Sequence, residues 1–293
     1  MIYFNTFSMV AYDAAEKSWG VAVASKFLAV GAVVPWARAG MGAVATQALA
    51  NMSFGPEGLH MLANGVSAQE TLAKLLSDDE GASDRQVGIV DADGNAAAHT
   101  GTDCYAWAGH RTGPGYTCQG NILTGGDVLE AMATTFESAE GHLGDRLVAA
   151  LVAGDGAGGD KRGKQSAAVL VVKPNGSYGG DTDRFLDLRV DDDPDPVTRL
   201  SKMMTLHHLY FGQPDPDKIL KLDEAIIREL QGILKKLDLY TGEIDAKWGE
   251  VSREAFWEMC GTENLEERAD ITYEGDTIDP VVLTYIRDKF GDA

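Results

Sequence analysis

Apolar and polar positions alternate with a period of two in the first part of the chain, a pattern that predicts strands. Residues 6–12 (TFSMVAY) and 19–25 (WGVAVAS) are β-rich runs on either side of a polar turn, and together they predict a hairpin. Residues 30–36 and 42–47 predict two further short strands. Because the side chains in these runs are small, we expect the strands to pack closely.

The period then changes to that of a helix. Leucines at helical spacing over residues 55–76 predict two helices, and Ser67 with Glu70 forms a capping-box pattern at the start of the second. Later segments predict a hairpin, two helices and a final hairpin, at residues 86–100, 126–136, 143–153 and 166–176. Strands and helix pairs in this order predict an α+β fold in which sheets pack together with helices outside.

Composition changes near residue 190. Residues 1–190 hold 27 of the 34 glycines, and residues 191–293 carry a net charge of about −12, against about −8 for the first part. The acidic, proline-containing run 191–196 disfavours both helix and strand pairing and predicts a solvated linker. A calcium loop is the alternative, but the run lacks the spacing and the later Glu of an EF-hand.

Helical periodicity returns after this run. The amphipathic segments that predict helices are 196–210, 225–237, 251–260 and 281–290. We therefore divide the chain into residues 1–190, a linker and connecting helix at 191–222, and a small helical domain at 223–293.

Charge and cysteine content exclude several classes of function. The chain has 293 residues, with 25 Lys and Arg against 45 Asp and Glu. The resulting net charge of −20 repels phosphate backbones and anionic headgroups, so we expect neither a nucleic-acid nor a membrane partner. Three cysteines without C-x-x-C spacing indicate neither a disulfide framework nor a zinc site. Signal-peptide and membrane-spanning patterns are missing, so we expect a cytoplasmic protein. We also expect no cofactor and no metal.

Several sequence strings carry a resemblance to a known family. They are 6–11 (TFSMVA), 20–26 (GVAVASK), 44–48 (VATQA), 85–88 (RQVG), 119–123 (QGNIL) and 158–166 (GGDKRGKQS). With these strings the chain resembles the DUF1028 proteins, an uncharacterised bacterial family. The resemblance implies a fold similar to that of N-terminal nucleophile (Ntn) hydrolases, a four-layer αββα sandwich. Residues 237–242 (LDLYTG) and 252–255 (SREA) resemble a peptidoglycan-binding domain.

Thr6 is the candidate nucleophile because it opens the first predicted strand. Catalysis of the Ntn type needs a hydroxyl or thiol there, and the residue's own free α-amine takes the proton. Five residues precede Thr6 in this sequence, so the role requires cleavage between Asn5 and Thr6. The alternative is that Thr6 is an ordinary β-branched strand residue.

Four more residues are candidates for the catalytic centre: Ser25, Lys26, Asn121 and, in the glycine-rich loop described below, Asp160. Ser25 could polarise the amine or act as a second nucleophile, and Lys26 could lower the pKa of the nucleophile or bind an anionic substrate. Lys26 could equally be a surface lysine on a turn. Asn121, beside a glycine, could donate a hydrogen bond to an oxyanion, although Gly-Asn is also common in turns.

The remaining candidates line the predicted pocket. Thr46 and Gln47 could offer neutral hydrogen bonds at a strand end, and Arg38 could bind an anion. Asp160 could orient an amine and Arg162 could hold a carboxylate, or the two could form an ion pair that braces their loop. This loop nearly matches a phosphate-binding loop, but a helix precedes it and a strand follows, which is the reverse of the required order.

The sequence supports two hypotheses. The first is a cofactor-independent hydrolase that acts on an amide-like C–N bond in a small polar substrate. The second is a non-catalytic binding or scaffold protein that keeps an Ntn-like fold and uses its C-terminal part as an interaction module. We expect a homo-oligomer with a small-molecule substrate, and a cell-wall glycan or protein partner for residues 223–293.

Overall fold

The computed structural model describes residues 6–291. Residues 1–5, which the nucleophile hypothesis requires to be removed, lie outside the described residues. Contacts divide the chain into two compact units, one ending at Met204 and the other beginning at Thr205. This division falls inside the segment 191–222 that the sequence assigns to a linker and connecting helix. None of the described helices is both long and apolar enough to cross a bilayer.

The strands of the first unit are short and pair only with antiparallel neighbours. In chain order they are β1 (Thr6–Asp13), β2 (Ser18–Ser25), β3 (Pro35–Arg38), β4 (Gly42–Ala48), β5 (Arg85–Asp91), β6 (Ala96–Thr100), β7 (Gly109–Gly113), β8 (Tyr116–Asn121), β9 (Ser166–Val172) and β10 (Arg184–Val190). They form a six-stranded sheet in the order β10-β9-β2-β1-β8-β7 and a four-stranded sheet in the order β3-β4-β5-β6.

Helices pack on one face of each sheet. The helices of the first unit are α1 (Phe54–Ala63), α2 (Ala68–Ser77), α3 (Asp127–Ser138) and α4 (Leu143–Gly156), and α5 (Pro196–Phe211) begins in this unit. Helices α1 and α2 contact the four-stranded sheet, and α3 and α4 contact the six-stranded sheet. The other faces of the two sheets contact each other, mainly through β1, β4, β5 and β8. The fold class is α+β, as predicted.

Most predicted elements are confirmed, including the capping box at the start of α2, where Ser67 and Glu70 hydrogen-bond reciprocally. The strand predicted over residues 30–36 is wrong in its first half. Ala29 has a left-handed backbone with φ 54°, and a 3₁₀ turn covers Val30–Ala32 before β3 begins. Val30 and Val34 are both buried. Residues four apart lie on the same face in a helical turn and also in a strand, so this apolar spacing does not distinguish the two.

Strands β7 and β8 were not predicted from the sequence. The side chains of β7 (GHRTG) are glycine or polar and largely exposed, so this strand has no apolar face. All of β8 (YTCQGN) is buried, and polar side chains occupy one of its two faces, so the usual apolar–polar alternation is absent. Strand β8 is held by pairing with β1, and β7 is held by pairing with β8.

The second unit has its own apolar core, which consists largely of helix residues. Its elements are β11 (Leu220–Lys221), α6 (Glu224–Lys236), α7 (Glu250–Glu263), α8 (Glu266–Glu274), β12 (Thr277–Ile278) and α9 (Pro280–Phe290). The side chains of Asp223 and Asp279 cap α6 and α9, which explains where those predicted helices begin. Helix α8 was not predicted, because four of its nine residues are acidic and few are apolar.

Candidate functional site

Three of the predicted site residues lie side by side at one end of the six-stranded sheet. Thr6 pairs with Ser25 on β2 and with Asn121 on β8. The Thr6 hydroxyl donates a hydrogen bond to Ser25 Oγ at 3.2 Å. The side chains of all three residues are almost completely buried. The structure therefore brings together a hydroxyl pair and a carboxamide on three neighbouring strands.

Strand alternation decides which side chains can join this group. Thr6 and Ser25 lie on the face that contacts the four-stranded sheet, whereas Phe7 and Ala24 belong to the core under α3 and α4. From the opposite sheet, Gln47 Nε2 donates to the Thr6 carbonyl at 3.3 Å, so Gln47 lies next to Thr6. The side chain of Thr46 lies on the other face of β4 from that of Gln47, and its hydroxyl donates to the Asn51 carbonyl. Thr46 therefore does not join the group.

A network of buried side chains joins the two sheets behind Thr6. Gln86 Oε1 accepts from Gln47 Nε2 at 2.8 Å and from Asn121 Nδ2 at 2.9 Å. Ser8 Oγ donates to Gln47 Oε1 at 2.6 Å and lies 2.6 Å from Gln119 Nε2, which donates to it. Buried polar groups are stable only when they are hydrogen-bonded, and a satisfied network fixes one arrangement of its members. Here that arrangement orients the Asn121 amide.

Sequence reasoning missed Ser8, Gln86 and Gln119. One signal for them exists: β8 has polar residues at 117, 119 and 121, which is a two-residue repeat on one strand face. A buried polar face indicates a second polar layer opposite it, and Gln47 with Gln86 supplies that layer. The pairing of those layers is a tertiary property.

The two strands that deliver Gln47 and Asn121 end in the same unusual way. Ala48 and Ile122 have φ values of 67° and 49°, in the left-handed region. For a β-branched residue such as Ile122 this conformation is a genuine outlier, and such outliers cluster at functional sites. Tyr105 and Lys161 hold Ile122 from either side, because Ile122 N donates to the Tyr105 carbonyl and Ile122 O accepts from Lys161 N.

Asp160 lies in the glycine-rich loop that follows α4. Its carboxylate accepts from Lys26 N at 2.9 Å, from Arg162 N at 2.9 Å and from Arg162 Nη2 at 3.1 Å. A bridge to Leu123 also ties residue 160 to the segment after β8. Asp160 therefore accepts three hydrogen bonds, and it joins the loop to the end of β2.

Basic side chains surround this loop. Lys26 is exposed, and its Nζ donates to the Lys164 carbonyl at 3.2 Å. Lys164 forms an ion pair with Asp155 at 2.6 Å, and this hydrogen bond raises the pKa of Lys164. A cavity of about 100 Å³ lies beside Ser25 on the helix side of the sheet, where Phe7, Ala24, Asp160 and Lys164 are among the residues that line it.

Arg38 does not join the site. It pairs with Gly42 at the beginning of β4, whereas Gln47 lies five residues further along the same strand. At about 3.3 Å per residue this separation is about 17 Å. Arg38 is exposed at the opposite end of the four-stranded sheet.

No group of three or more His, Cys, Asp or Glu side chains suited to a metal ion occurs within residues 6–291. In the acidic run, Asp191 pairs with Arg189 at 3.0 Å, and Asp193 accepts from Asp195 N at 2.7 Å. Asp192 accepts from Gln165 at 3.0 Å. These carboxylates hold the turn between β10 and α5.

Comparison with known proteins identifies both parts of the chain. The family model DUF1028, described as a family of unknown function, matches residues 6–200, and a second model, described as "Putative peptidoglycan binding domain", matches residues 210–286. The chain is similar to the crystal structure of protein SPO2555 from Silicibacter pomeroyi, a DUF1028 protein, with 32% sequence identity and a TM-score of 0.64. That similarity covers 70% of this chain and 89% of the other. No curated protein matches the chain. The family match spans well over half of the sequence, so the chain belongs to the DUF1028 family.

Proposed function

We propose that the first unit is a hydrolase of the Ntn type that cleaves an amide-like C–N bond in a small polar substrate. The observation that carries the proposal is the Thr6 hydroxyl at the start of β1, 3.2 Å from Ser25 Oγ and in register with Asn121. The contacts of helix pairs with the outer faces of two facing sheets support assignment of this unit to the four-layer αββα sandwich.

The chemistry requires a free α-amine on Thr6, so the proposal includes cleavage between Asn5 and Thr6. The Thr6 oxygen then attacks the substrate carbonyl carbon, and the hydroxyl proton passes to the α-amine. Collapse of the tetrahedral intermediate breaks the C–N bond, the leaving nitrogen takes that proton, and an acyl ester remains on Thr6. Water hydrolyses the ester and restores the hydroxyl.

The neighbouring side chains have supporting roles in this proposal. Ser25 Oγ orients the Thr6 hydroxyl through their hydrogen bond. Asn121 uses one N–H on Gln86, and a carboxamide carries a second N–H that can stabilise the oxyanion. Such a donor contributes about 3–4 kcal/mol to the transition state in known enzymes. None of these steps calls for a cofactor.

Intact mass spectrometry combined with a Thr6→Ala variant tests the proposal. We expect the purified protein to lack residues 1–5 and to release amine from a member of a panel of amides, ureides and lactams. Thr6→Ala should abolish release, whereas Thr71→Ala, which removes an equally buried threonine from α2, should retain it. An active protein that keeps residues 1–5, or an active Thr6→Ala variant, would exclude Thr6 as an Ntn nucleophile.

The non-catalytic hypothesis is favoured by one observation, the complete burial of the Thr6 side chain. A binding or scaffold protein needs no accessible hydroxyl at this position. The same experiment separates the two hypotheses, because a scaffold keeps its N-terminal residues and releases no amine from any member of the panel.

We also propose that residues 210–286 bind a cell-wall glycan, on the basis of the match to a peptidoglycan-binding family model. Co-sedimentation of the full chain with purified sacculi tests this second function. Retention of the chain in the supernatant at all ionic strengths would leave the second unit as a protein-interaction module instead.

A further inference from the structure

We infer that Gln86 is a positioning residue of this site, which acts through Asn121 by fixing the place of the donor nitrogen of its carboxamide. The inference rests on the proposed function, because Asn121 is the oxyanion donor of that proposal. Gln86 lies on β5 of the four-stranded sheet, and Asn121 lies in register with Thr6 at the end of β8. The two carboxamides meet between the sheets, where Asn121 Nδ2 donates to Gln86 Oε1 at 2.9 Å.

Two backbone carbonyls fix the direction of the Gln86 amide. Gln86 Nε2 donates to the Gly120 carbonyl at 2.8 Å and to the Gly109 carbonyl at 3.0 Å, and it lies 3.0 Å from the Thr100 hydroxyl. A carbonyl oxygen only accepts hydrogen bonds, so the nitrogen of the amide must face both carbonyls. A flipped amide would place Oε1 against two other oxygens. The Gln86 oxygen therefore has to face the remaining neighbours of the side chain.

The Gln86 oxygen in turn decides the orientation of Asn121. Gln86 Oε1 accepts from Asn121 Nδ2 at 2.9 Å and from Gln47 Nε2 at 2.8 Å. A flipped Asn121 would turn Oδ1 towards Gln86 Oε1, and two acceptors without a hydrogen between them repel each other. The Gln47 nitrogen is held separately, because it also donates to the Thr6 carbonyl at 3.3 Å. Backbone carbonyls thus leave one arrangement for all three carboxamides.

Burial makes this arrangement strict. Gln86 and Gln47 are fully buried and Asn121 is 2% exposed, so solvent does not compensate a carboxamide that points the wrong way. In such surroundings the hydrogen bonds of a network strengthen one another. Asn121 Nδ2 gives one hydrogen to Gln86 and keeps the second for the oxyanion. A donor that is in place before the reaction costs no reorganisation during it, so loss of Gln86 should slow the chemical step.

Gln86→Met tests the inference, because methionine keeps the length of the side chain but has neither the amide donors nor the carbonyl acceptor. On a panel member that the wild type turns over, we expect kcat to fall about tenfold to a hundredfold and KM to change less than about twofold. The same substitution should cause almost no further loss in an Asn121→Ala background, since Gln86 acts through Asn121. The side-chain amide NMR signals of Asn121 should shift in Gln86→Met.

Gln231→Met is the matched control. Gln231 is another fully buried glutamine, and its amide donates to Ser252 Oγ at 3.2 Å and accepts from Ala246 N at 3.1 Å within the second unit. Its loss also breaks a buried network, but it should leave kcat and the Asn121 signals as in the wild type.

Three results would each overturn the inference: a kcat of Gln86→Met close to that of the wild type, an equal loss in the Asn121→Ala background, or unchanged Asn121 signals. If Gln86→Met does not fold, the scalar coupling across the hydrogen bond between Asn121 Nδ2 and Gln86 Cδ in the wild type decides. Its presence supports the inference and its absence overturns it. A wild type that shows the coupling but turns over no panel member would overturn only the proposed hydrolase.

Discussion

Asp79 is the residue whose ionisation contributes most clearly to the structure around the site. Hydrogen bonding to Arg85 lowers the pKa of Asp79 from 3.8 to about 2. Arg85 also donates to the Leu49 carbonyl, and Asn51 donates to Asp79, so the pair holds the segment that follows β4. The ion pair therefore fixes the chain just beyond Gln47.

The lowered pKa of Asp79 predicts a pH-dependent contribution to stability. The contribution is fully present above about pH 4, the ordinary pKa of an aspartate. It is lost as the pH falls to about 2, because the Asp79 carboxylate of the folded protein is then protonated. Asp79→Asn should lower the free energy of unfolding by about 1 kcal/mol at neutral pH, allowing for solvent screening. Urea unfolding of both proteins across this pH range is the measurement.

Glu80→Gln is the control for Asp79→Asn, because its side chain is exposed beside the pair and should change stability little at any pH. A gap between wild type and Asp79→Asn that stays constant from pH 6 to pH 2 would contradict the role of this carboxylate.

At the scale of elements, Gly88 sets how closely β5 approaches the six-stranded sheet. A Cβ at this position would lie 2.7 Å from Gln119 Cδ and closer still to Gln119 Oε1. Real Cβ atoms do not occupy such positions, so the network of Ser8, Gln47, Gln86, Gln119 and Asn121 depends on a glycine in the facing strand.

Gly88→Ala should therefore destabilise the protein by about 1–3 kcal/mol, as overpacking of a core does, and should displace the Gln119 amide. Gly156→Ala is the matched control, since nothing lies within 4 Å of its added Cβ at the exposed end of α4. In a helix that change should stabilise by about 0.5–1 kcal/mol. Thermal unfolding and the amide NMR signals of Gln119 check both variants, and equal stabilities would refute the packing argument.

At the scale of the whole molecule, each unit is stabilised by its own core. The cores of the first unit lie between the sheets and under the helices. In the second unit, the guanidinium of Arg268 forms an ion pair with Asp279 and donates to the carbonyls of His208 and Leu209. The side chains of Arg268 and Asp279 are only 9% and 2% exposed, so loss of one partner leaves a buried charge.

Arg268→Met should accordingly destabilise residues 205–291 by about 3–5 kcal/mol while the β-sheets of the first unit keep their protection from hydrogen exchange. Arg287→Met is the control, because Arg287 pairs with Glu229 on the surface and such pairs contribute at most about 1 kcal/mol. Hydrogen exchange followed by mass spectrometry reports both units at once. Loss of protection in β1 and β2 of Arg268→Met would contradict independent cores.

Local patterns in the sequence predicted most of the elements. The β1–β2 hairpin and the capped helix α2 follow from side-chain period and capping, which depend only on neighbours along the chain. The same reasoning failed at Val30 and Val34, where the apolar period is ambiguous. It also failed in β8, where both strand faces are buried and the polar face does not mark solvent exposure. At those places tertiary contacts outweigh local preference.

The candidate site divides in the same way. Residue type selected the candidates, with position at a strand end for Thr6, Ser25 and Lys26 and neighbouring glycines for Asn121 and Asp160. A hydroxyl, amide or carboxylate has its chemistry wherever it lies in the chain. Only the tertiary structure decided which side chains meet, since pairing of strands far apart in sequence brings Gln86 to Asn121 and carries Arg38 to the far end of a sheet. The sequence by itself determined the chemical groups and their local elements; the packing of two sheets, which no local pattern encodes, determined their distances.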